Sequence, residues 1–248
     1  MGMAEAVFAG HLKRLQLPYF AEHHAALMAQ AARESWPHGR FLEQLVEGEV
    51  ARRDEALVAR RVKAARLPGI KTLDGFDWSW PKQINRAQVQ HLFRLDFLPQ
   101  HGNVILLGGV GVGKTHLAIA LAHAACLRGK TALFTSAVDI VNTLAAARAT
   151  GSIKREMARL AKPALLVVDE LGYLPIDKFG ADALFQVISQ RYERGSTVIT
   201  TNRAFKQWPE IFNNDSTLTS ALLDRLLHHA ESVVIEGQSY RMRDQADA

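Results

Sequence analysis

Residues 108–115 read Gly108-Gly109-Val110-Gly111-Val112-Gly113-Lys114-Thr115. They lie between the apolar run Val104-Ile105-Leu106-Leu107 and the helix-patterned Leu117-Ala118-Ile119-Ala120-Leu121-Ala122. The pattern is G-x-x-x-x-G-K-[ST] in a strand–loop–helix setting, and it marks a nucleoside-triphosphate site. Glycines let the loop wrap phosphate oxygens without side-chain clashes, and the following helix N-terminus adds amide donors and partial positive charge. The expected nucleotide contacts are Gly108, Gly109, Val110, Gly111, Val112, Gly113, Lys114, Thr115 and His116. Lys114 should reach the β- and γ-phosphates, and the Thr115 hydroxyl should ligate Mg2+.

The rest of the chain from residue 103 repeats this rhythm. Val104–Leu107, Ala132–Thr135, Leu165–Val168, Val198–Thr201 and Val233–Ile235 read as buried strands. Helices are expected at 114–128, 137–149, 152–161, 180–194 and 217–229. Continuous apolar strands alternating with helices imply an α/β fold whose parallel sheet is covered on both faces. Ligands in such sheets bind beyond the carboxyl ends of the strands. Upstream the pattern changes: residues 5–66 read as helices, and Leu67-Pro68-Gly69 ends them. The reading is therefore a helical N-terminal domain at 1–69 for DNA or partner interaction, a connector at 70–100, and an ATPase domain at 101–248. The connector holds Phe76, Trp78, Trp80 and Pro81, then a helix-like run from Ile84 to Leu98. Such aromatics either cover a base or pack a domain junction.

Three further strand or helix ends carry polar residues. Leu165-Leu166-Val167-Val168 delivers Asp169-Glu170. About fifty residues beyond the phosphate loop, one carboxylate suits the Mg2+ shell and the other suits the attacking water, so Asp169 is assigned to metal and Glu170 to catalysis. Val198-Ile199-Thr200-Thr201 ends at Asn202, a neutral group placed to hold the water or sense the γ-phosphate. Arg225 lies within Ala221-Leu222-Leu223-Asp224-Arg225-Leu226-Leu227-His228-His229. It reads either as a finger on a neighbouring subunit's nucleotide or as a surface partner of Asp224. The pairs His23-His24 and His228-His229 lack the i,i+4 spacing that puts two metal ligands on one helix face.

Charge adds a second theme. The 248 residues carry a net +5, with a sequence pI near 9.5. Arg52, Arg53, Arg60, Arg61, Lys63, Arg66 and Lys71 crowd residues 51–71, and Arg148, Lys154, Arg155, Arg159 and Lys162 crowd 148–162. Two such clusters suit either a polyanion or two solvated helix faces. Arg52, Arg53, Arg60, Arg148, Lys154, Arg155 and Arg159 are the candidate DNA contacts. The one cysteine, Cys126, cannot form an intramolecular disulfide. With no membrane-length apolar stretch and no basic-then-apolar leader after Met1, a cytoplasmic protein is expected.

With these motifs in place the chain resembles the AAA+ family, and within it the IstB-type transposition helper ATPases of bacterial insertion sequences. The likeness rests on Ala65-Arg66-Leu67-Pro68, Gly111-Val112-Gly113-Lys114-Thr115-His116-Leu117-Ala118 and Asp169-Glu170-Leu171-Gly172-Tyr173-Leu174-Pro175. It continues through Arg191-Tyr192-Glu193-Arg194-Gly195, Thr200-Thr201-Asn202-Arg203, Leu223-Asp224-Arg225-Leu226-Leu227-His228-His229 and Ser239-Tyr240-Arg241. Gly109-Val110 stands where the family often has Pro. The resemblance implies ATP and Mg2+ as ligands, and homo-oligomers on double-stranded DNA with ATP at subunit interfaces. It also implies stimulation of a transposase from the same element, with hydrolysis timing disassembly. It further implies Asn202 as first sensor, Arg225 as arginine finger and Arg241 as a second sensor. Only 23 residues follow Arg225, so the family's helical lid should be reduced or absent. A replicative helicase loader is the alternative from the same clade. A small-molecule kinase would explain the phosphate loop but not Asp169-Glu170, Asn202 and Arg225 together.

Overall fold

The computed structural model describes residues 3–245. The chain divides into two units, Met1–Arg60 and Arg61–Ala248. The first holds α1 (Met3–Arg14), α2 (Pro18–Arg33) and most of α3 (His38–Ala64). Pro18 at the first turn of α2 fits a helix start, where its missing N–H has no partner to lose. Glu49 of α3 is buried, yet its carboxylate accepts from Tyr19 N at 2.9 Å and from Arg53 Nε at 3.1 Å. Those bonds offset the cost of burying a charge, and they fasten α3 to the start of α2.

The second unit is built on a six-stranded sheet ordered β1-β6-β2-β5-β4-β3. Its strands are β1 (Gln83–Ile84), β2 (Asn103–Gly108), β3 (Ala132–Ser136), β4 (Leu165–Leu171), β5 (Ser196–Thr201) and β6 (Ala230–Glu236). All neighbours pair in parallel except β1, which runs antiparallel to β6. Strand alternation splits the core in two. Leu165 and Val167 of β4 join Val104, Leu106 and Val198 on one face, under α5 (Lys114–Leu127). Leu166 and Val168 join Leu133 and Ile199 on the other, under α6 (Ala137–Ala149), α8 (Lys178–Arg191) and α10 (Ser216–Leu227). Burial on both faces explains why these strands are apolar throughout rather than alternating.

The helix-like run from Ile84 to Leu98 is not one helix. α4 covers Arg86–Leu92, started by Asn85, whose side chain accepts from Gln88 N. Beyond it the chain turns, with Leu95 at φ 64°. Leu92, Leu95, Phe97 and Leu98 are all buried with the α5 side of the sheet, and a buried turn is as apolar as a helix, so periodicity cannot separate them. α7 (Ile153–Ala161) and α9 (Trp208–Ile211) complete the helices. After β6 the described residues hold one short 3-10 helix, Tyr240–Gln245. No helix among the described residues is long and apolar enough to cross a membrane.

Candidate nucleotide site

β2 runs directly into the glycine loop, and α5 begins at Lys114 with Gly113 as its N-cap at φ 97°. Gly111 stands at φ 75°, and a Cβ there would strike Ser239 Oγ. Only glycine meets both conditions without strain. The C-terminal segment is tied to the same point, since Tyr240 N donates to Gly111 O at 2.9 Å. Lys114 Nζ donates to the carbonyls of Gly108 at 2.8 Å and Gly109 at 2.5 Å. Burial pushes its ammonium below the usual lysine pKa. The Asp169 carboxylate opposes that shift, the Arg241 guanidinium adds to it and the Glu170 carboxylate opposes it. Lys114, Asp169, Glu170 and Arg241 therefore share one electrostatic neighbourhood.

The two carboxylates at the tip of β4 face different ways. The β4–β5 register shifts between Val168 and Leu171, and Glu170 takes φ 58°. Such a bulge re-aims side chains at the end of a strand. Asp169 is buried and Glu170 exposed. Thr115 Oγ1 lies 3.0 and 3.2 Å from the two Asp169 oxygens. Thr200 Oγ1 donates to Asp169 Oδ1 at 2.5 Å and accepts from Glu170 N at 2.9 Å. One hydroxyl of β5 thus fixes both acidic residues. Thr115 and Asp169 offer adjacent oxygens, the donor type a hard divalent cation takes.

Asn202 follows Thr201, which pairs with Leu107 of β2 and Leu171 of β4. The topology places Asn202, exposed, on the middle strand between the phosphate loop and Glu170. Beside the loop is a cleft of about 440 Å³, whose walls include Phe76, Trp80, Val112, Ile119, Tyr240 and Arg241. Its size is that of a small-molecule pocket. Trp80 Nε1 donates to Gln238 O at 3.0 Å and meets Tyr240 edge-on at 5.5 Å. His116 Nε2 lies 2.8 Å from Thr72 O, tying α5 to the segment before the sheet.

Comparison with known proteins decides the family. Residues 10–248 match the IstB-like ATP binding protein family. The chain belongs to the IstB-like ATP-binding family. It is 38% identical, over 96% of its own length and 89% of the relative's, to the IS21 putative ATP-binding protein of Pseudomonas aeruginosa. It is 37% identical, over 93% and 92%, to the IS5376 putative ATP-binding protein of Geobacillus stearothermophilus. In fold it is similar to AMPPCP-bound DnaA from Aquifex aeolicus, with TM-score 0.58 and 19% identity over 73% of this chain and 55% of that one. It is also similar to the DnaC helicase loader, with TM-score 0.55 and 23% identity over 66% and 96%. The fold is thus of the AAA+ kind, and ATP is the nucleotide of the family.

Within this IstB-like frame Arg225 stands apart from the other site residues. Its Nη1 donates to Ala221 O at 2.8 Å, and its guanidinium lies 4.8 Å from the centre of the Phe185 ring. No ion pair with Asp224 forms. Arg225 shares a small cavity with His101, Asn103, Thr197 and His229, residues at the amino ends of β2, β5 and β6. The phosphate loop leaves the opposite, carboxyl end of β2, and five residue steps at ~3.3 Å put roughly 17 Å of strand between those ends. Beside Arg225, Tyr192 Oη lies 3.1 Å from His228 Nδ1. Glu193, His228 and His229 bring their ligand atoms within 4.8 Å of one another, all exposed, a juxtaposition that sequence spacing does not show.

The candidate DNA residues fall into two groups. Arg52 pairs with Glu22 at 2.7 Å, Arg53 bonds Glu49 and Gln16 O, and Arg159 pairs with Glu156 at 2.7 Å. Arg148 lies over the Phe179 ring at 5.1 Å. Lys154 and Arg60 are exposed, on α7 and α3, and Arg155 is largely exposed although its Nε lies 3.3 Å from Glu156 Oε1. Thr200 sits in an apolar strand, where sequence alone does not mark it as a site residue. Its only signal was a hydroxyl one step inside the strand end.

Proposed function

We propose that this IstB-like protein hydrolyses ATP at a site completed by a second copy, and that the ATP-bound assembly on double-stranded DNA serves a transposase of the same insertion sequence. The observation that carries this reading is the position of Arg225. It sits at the amino ends of the strands, whereas Lys114, Thr115, Asp169 and Glu170 cluster at the carboxyl ends. A side chain there cannot reach its own phosphate loop, but it can reach that of a neighbour stacked head to tail. Such a contact is heterologous, and repetition builds a ring or an open helix.

The geometry supports the following roles. The loop amides and Lys114 hold the phosphates. Thr115 Oγ1 and Asp169 would hold Mg2+, which would supply positive charge to the triphosphate. Glu170, held through its own N–H by Thr200, orients a water and accepts its proton as the water oxygen attacks γ-phosphorus and ADP leaves. Asn202 positions that water, and Arg225 of the next subunit stabilises the charge of the transition state. Arg241, whose charge already acts on Lys114, adds a contact from the C-terminal segment.

The relatives' names place them in insertion sequences, which favours a transposition role over helicase loading. Lys154 and Arg155 are the first candidates for phosphate contacts. The test is sedimentation of the full chain with duplex DNA. ATP should produce multimers on DNA, and affinity should fall steeply with salt as counterions are released. A chain that stays monomeric with both ligands contradicts the proposal.

A further inference from the structure

β4 runs into Gly172-Tyr173-Leu174-Pro175-Ile176, and this turn leaves two large apolar groups in water. Tyr173 is 51% exposed and Leu174 58%. Single exposed apolar residues are ordinary. What singles these out is their place, three and four residues past Glu170, and a fixed base beneath them. Gly172 sits at φ 89°, where a Cβ would meet Ile211 Cδ1 at 2.6 Å. Ile176 is buried, and its N–H donates to Ile211 O at 2.9 Å. The turn is held at both ends and its tip is uncovered.

A candidate receptor lies at the other end of the same unit. The exposed side of α8 and the turn after it form a shallow cleft of about 530 Å³, in which the Phe185 and Tyr192 rings sit among the polar Gln186, Ser189, Gln190, Glu193 and Arg194. It begins at the finger, because Arg225 stacks on Phe185. Ser189 Oγ is buried and, among the described residues, has no hydrogen-bond partner.

Resting on the shared-site reading, we infer that the Tyr173–Leu174 turn of one subunit seats in the α8 cleft of the next. The occupant is a second copy because one displacement satisfies both contacts. Bringing Arg225 of one subunit to the γ-phosphate beside Glu170 of another also brings the segment just past Glu170 to the surroundings of Arg225. Leu174 then covers the Phe185 and Tyr192 rings, and the Tyr173 hydroxyl meets the polar rim of the cleft. Because the turn is continuous with Glu170, seating it fixes the catalytic carboxylate as well as the neighbour. Assembly and hydrolysis are then coupled through one loop.

Cross-linking tests the contact directly. Leu174→Cys and Gln190→Cys change two exposed positions, and Cys126 is a quiet background, being buried with its thiol pKa raised by that burial. With ATP, Mg2+ and a short bismaleimide, the double variant should give a ladder of covalent multimers. An equal mixture of the two single variants should stop at dimers, and omission of ATP should abolish both. Separately, Tyr173→Ala with Leu174→Ala should raise the concentration for half-assembly about tenfold, the size of effect expected from an apolar anchor, while ATP affinity of the unassembled subunit stays unchanged. Assemblies that sediment normally but give no cross-link, or that form equally well in the alanine variant, overturn this contact and leave the shared site standing. Failure of ATP to produce any assembly overturns both.

Discussion

Thr200→Val separates a positioned catalytic carboxylate from one that merely lies nearby. The substitution keeps shape and removes one hydroxyl. That hydroxyl donates to Asp169 Oδ1 at 2.5 Å and accepts from Glu170 N at 2.9 Å. A lost bond to a charged group costs about 1.5–3 kcal/mol, and the partly buried Glu170 N–H left unpaired adds about 1 kcal/mol. A combined loss of about 3 kcal/mol lowers the unfolding midpoint by roughly 10 °C for a unit of this size. The kinetic effect should be larger than stability alone implies. Glu170 is held at φ 58°, a left-handed conformation that costs a non-glycine residue about 1–2 kcal/mol, and the Thr200 bond is what holds it there. Released, the carboxylate moves, and a shift of about 1 Å costs on the order of a hundredfold in rate. Steady-state ATP hydrolysis below the unfolding midpoint should show kcat down about a hundredfold with KM changed less than about threefold. Thr200→Ser should recover most of it. Hydrolysis by Thr200→Val within about twofold of the parent, or a serine variant as impaired as valine, would refute the positioning argument.

Other outcomes follow from the same geometry. Arg191 is buried and donates to Thr197 Oγ1 and to the carbonyls of Leu160, Ala161, Pro163, Ala164 and Ser196. Burial pushes its pKa down to about 10. Arg191→Met should cost about 3–5 kcal/mol in chemical denaturation, with Arg191→Lys only partly better because it lacks the planar fork. Gly111→Ala should weaken ATP binding at least about tenfold in a fluorescent-nucleotide titration, since the side chain both strains φ and strikes Ser239. Lys154→Ala with Arg155→Ala should flatten the slope of log affinity for DNA against log salt by about 1.8, two phosphate contacts' worth. Arg52→Ala with Arg53→Ala should register mainly as lost stability, because those side chains are engaged with Glu22, Glu49 and Gln16.

The sequence disclosed the sheet well because its strands are buried on both faces. Leu165–Val168 and Val198–Thr201 have no other reading once a phosphate loop precedes them. Helix ends were legible where a cap signalled them, as Ser136 does for α6 by accepting from Asp139 N. Elsewhere physics hid the answer. The turns at 93–98 are buried and apolar, so they imitate helix. The short turns around Trp208, Ile211 and Phe212 are fully packed but too brief to show a period. Most of all, the sequence names Arg225 without saying at which end of the sheet it lies. That follows from the strand order, with β5 between β2 and β4, and from the packing of α10 against α8. Thr200 was hidden because a threonine in a buried strand is ordinary until its partners are seen.

The central claim is that two subunits make one site, and mixed variants test it most directly. Glu170→Gln lacks its own base but keeps a finger to lend. Arg225→Ala keeps the base but lends no finger. Each alone should hydrolyse ATP at a small fraction of the parent rate. Mixed in equal amounts and assembled head to tail, half the nucleotide-bearing subunits keep Glu170 and half their neighbours keep Arg225, so about a quarter of the interfaces are whole. ATP hydrolysis in the mixture should return to about a quarter of the parent rate. A mixture no more active than its components, or an Arg225→Ala protein as active as the parent, would contradict a shared site.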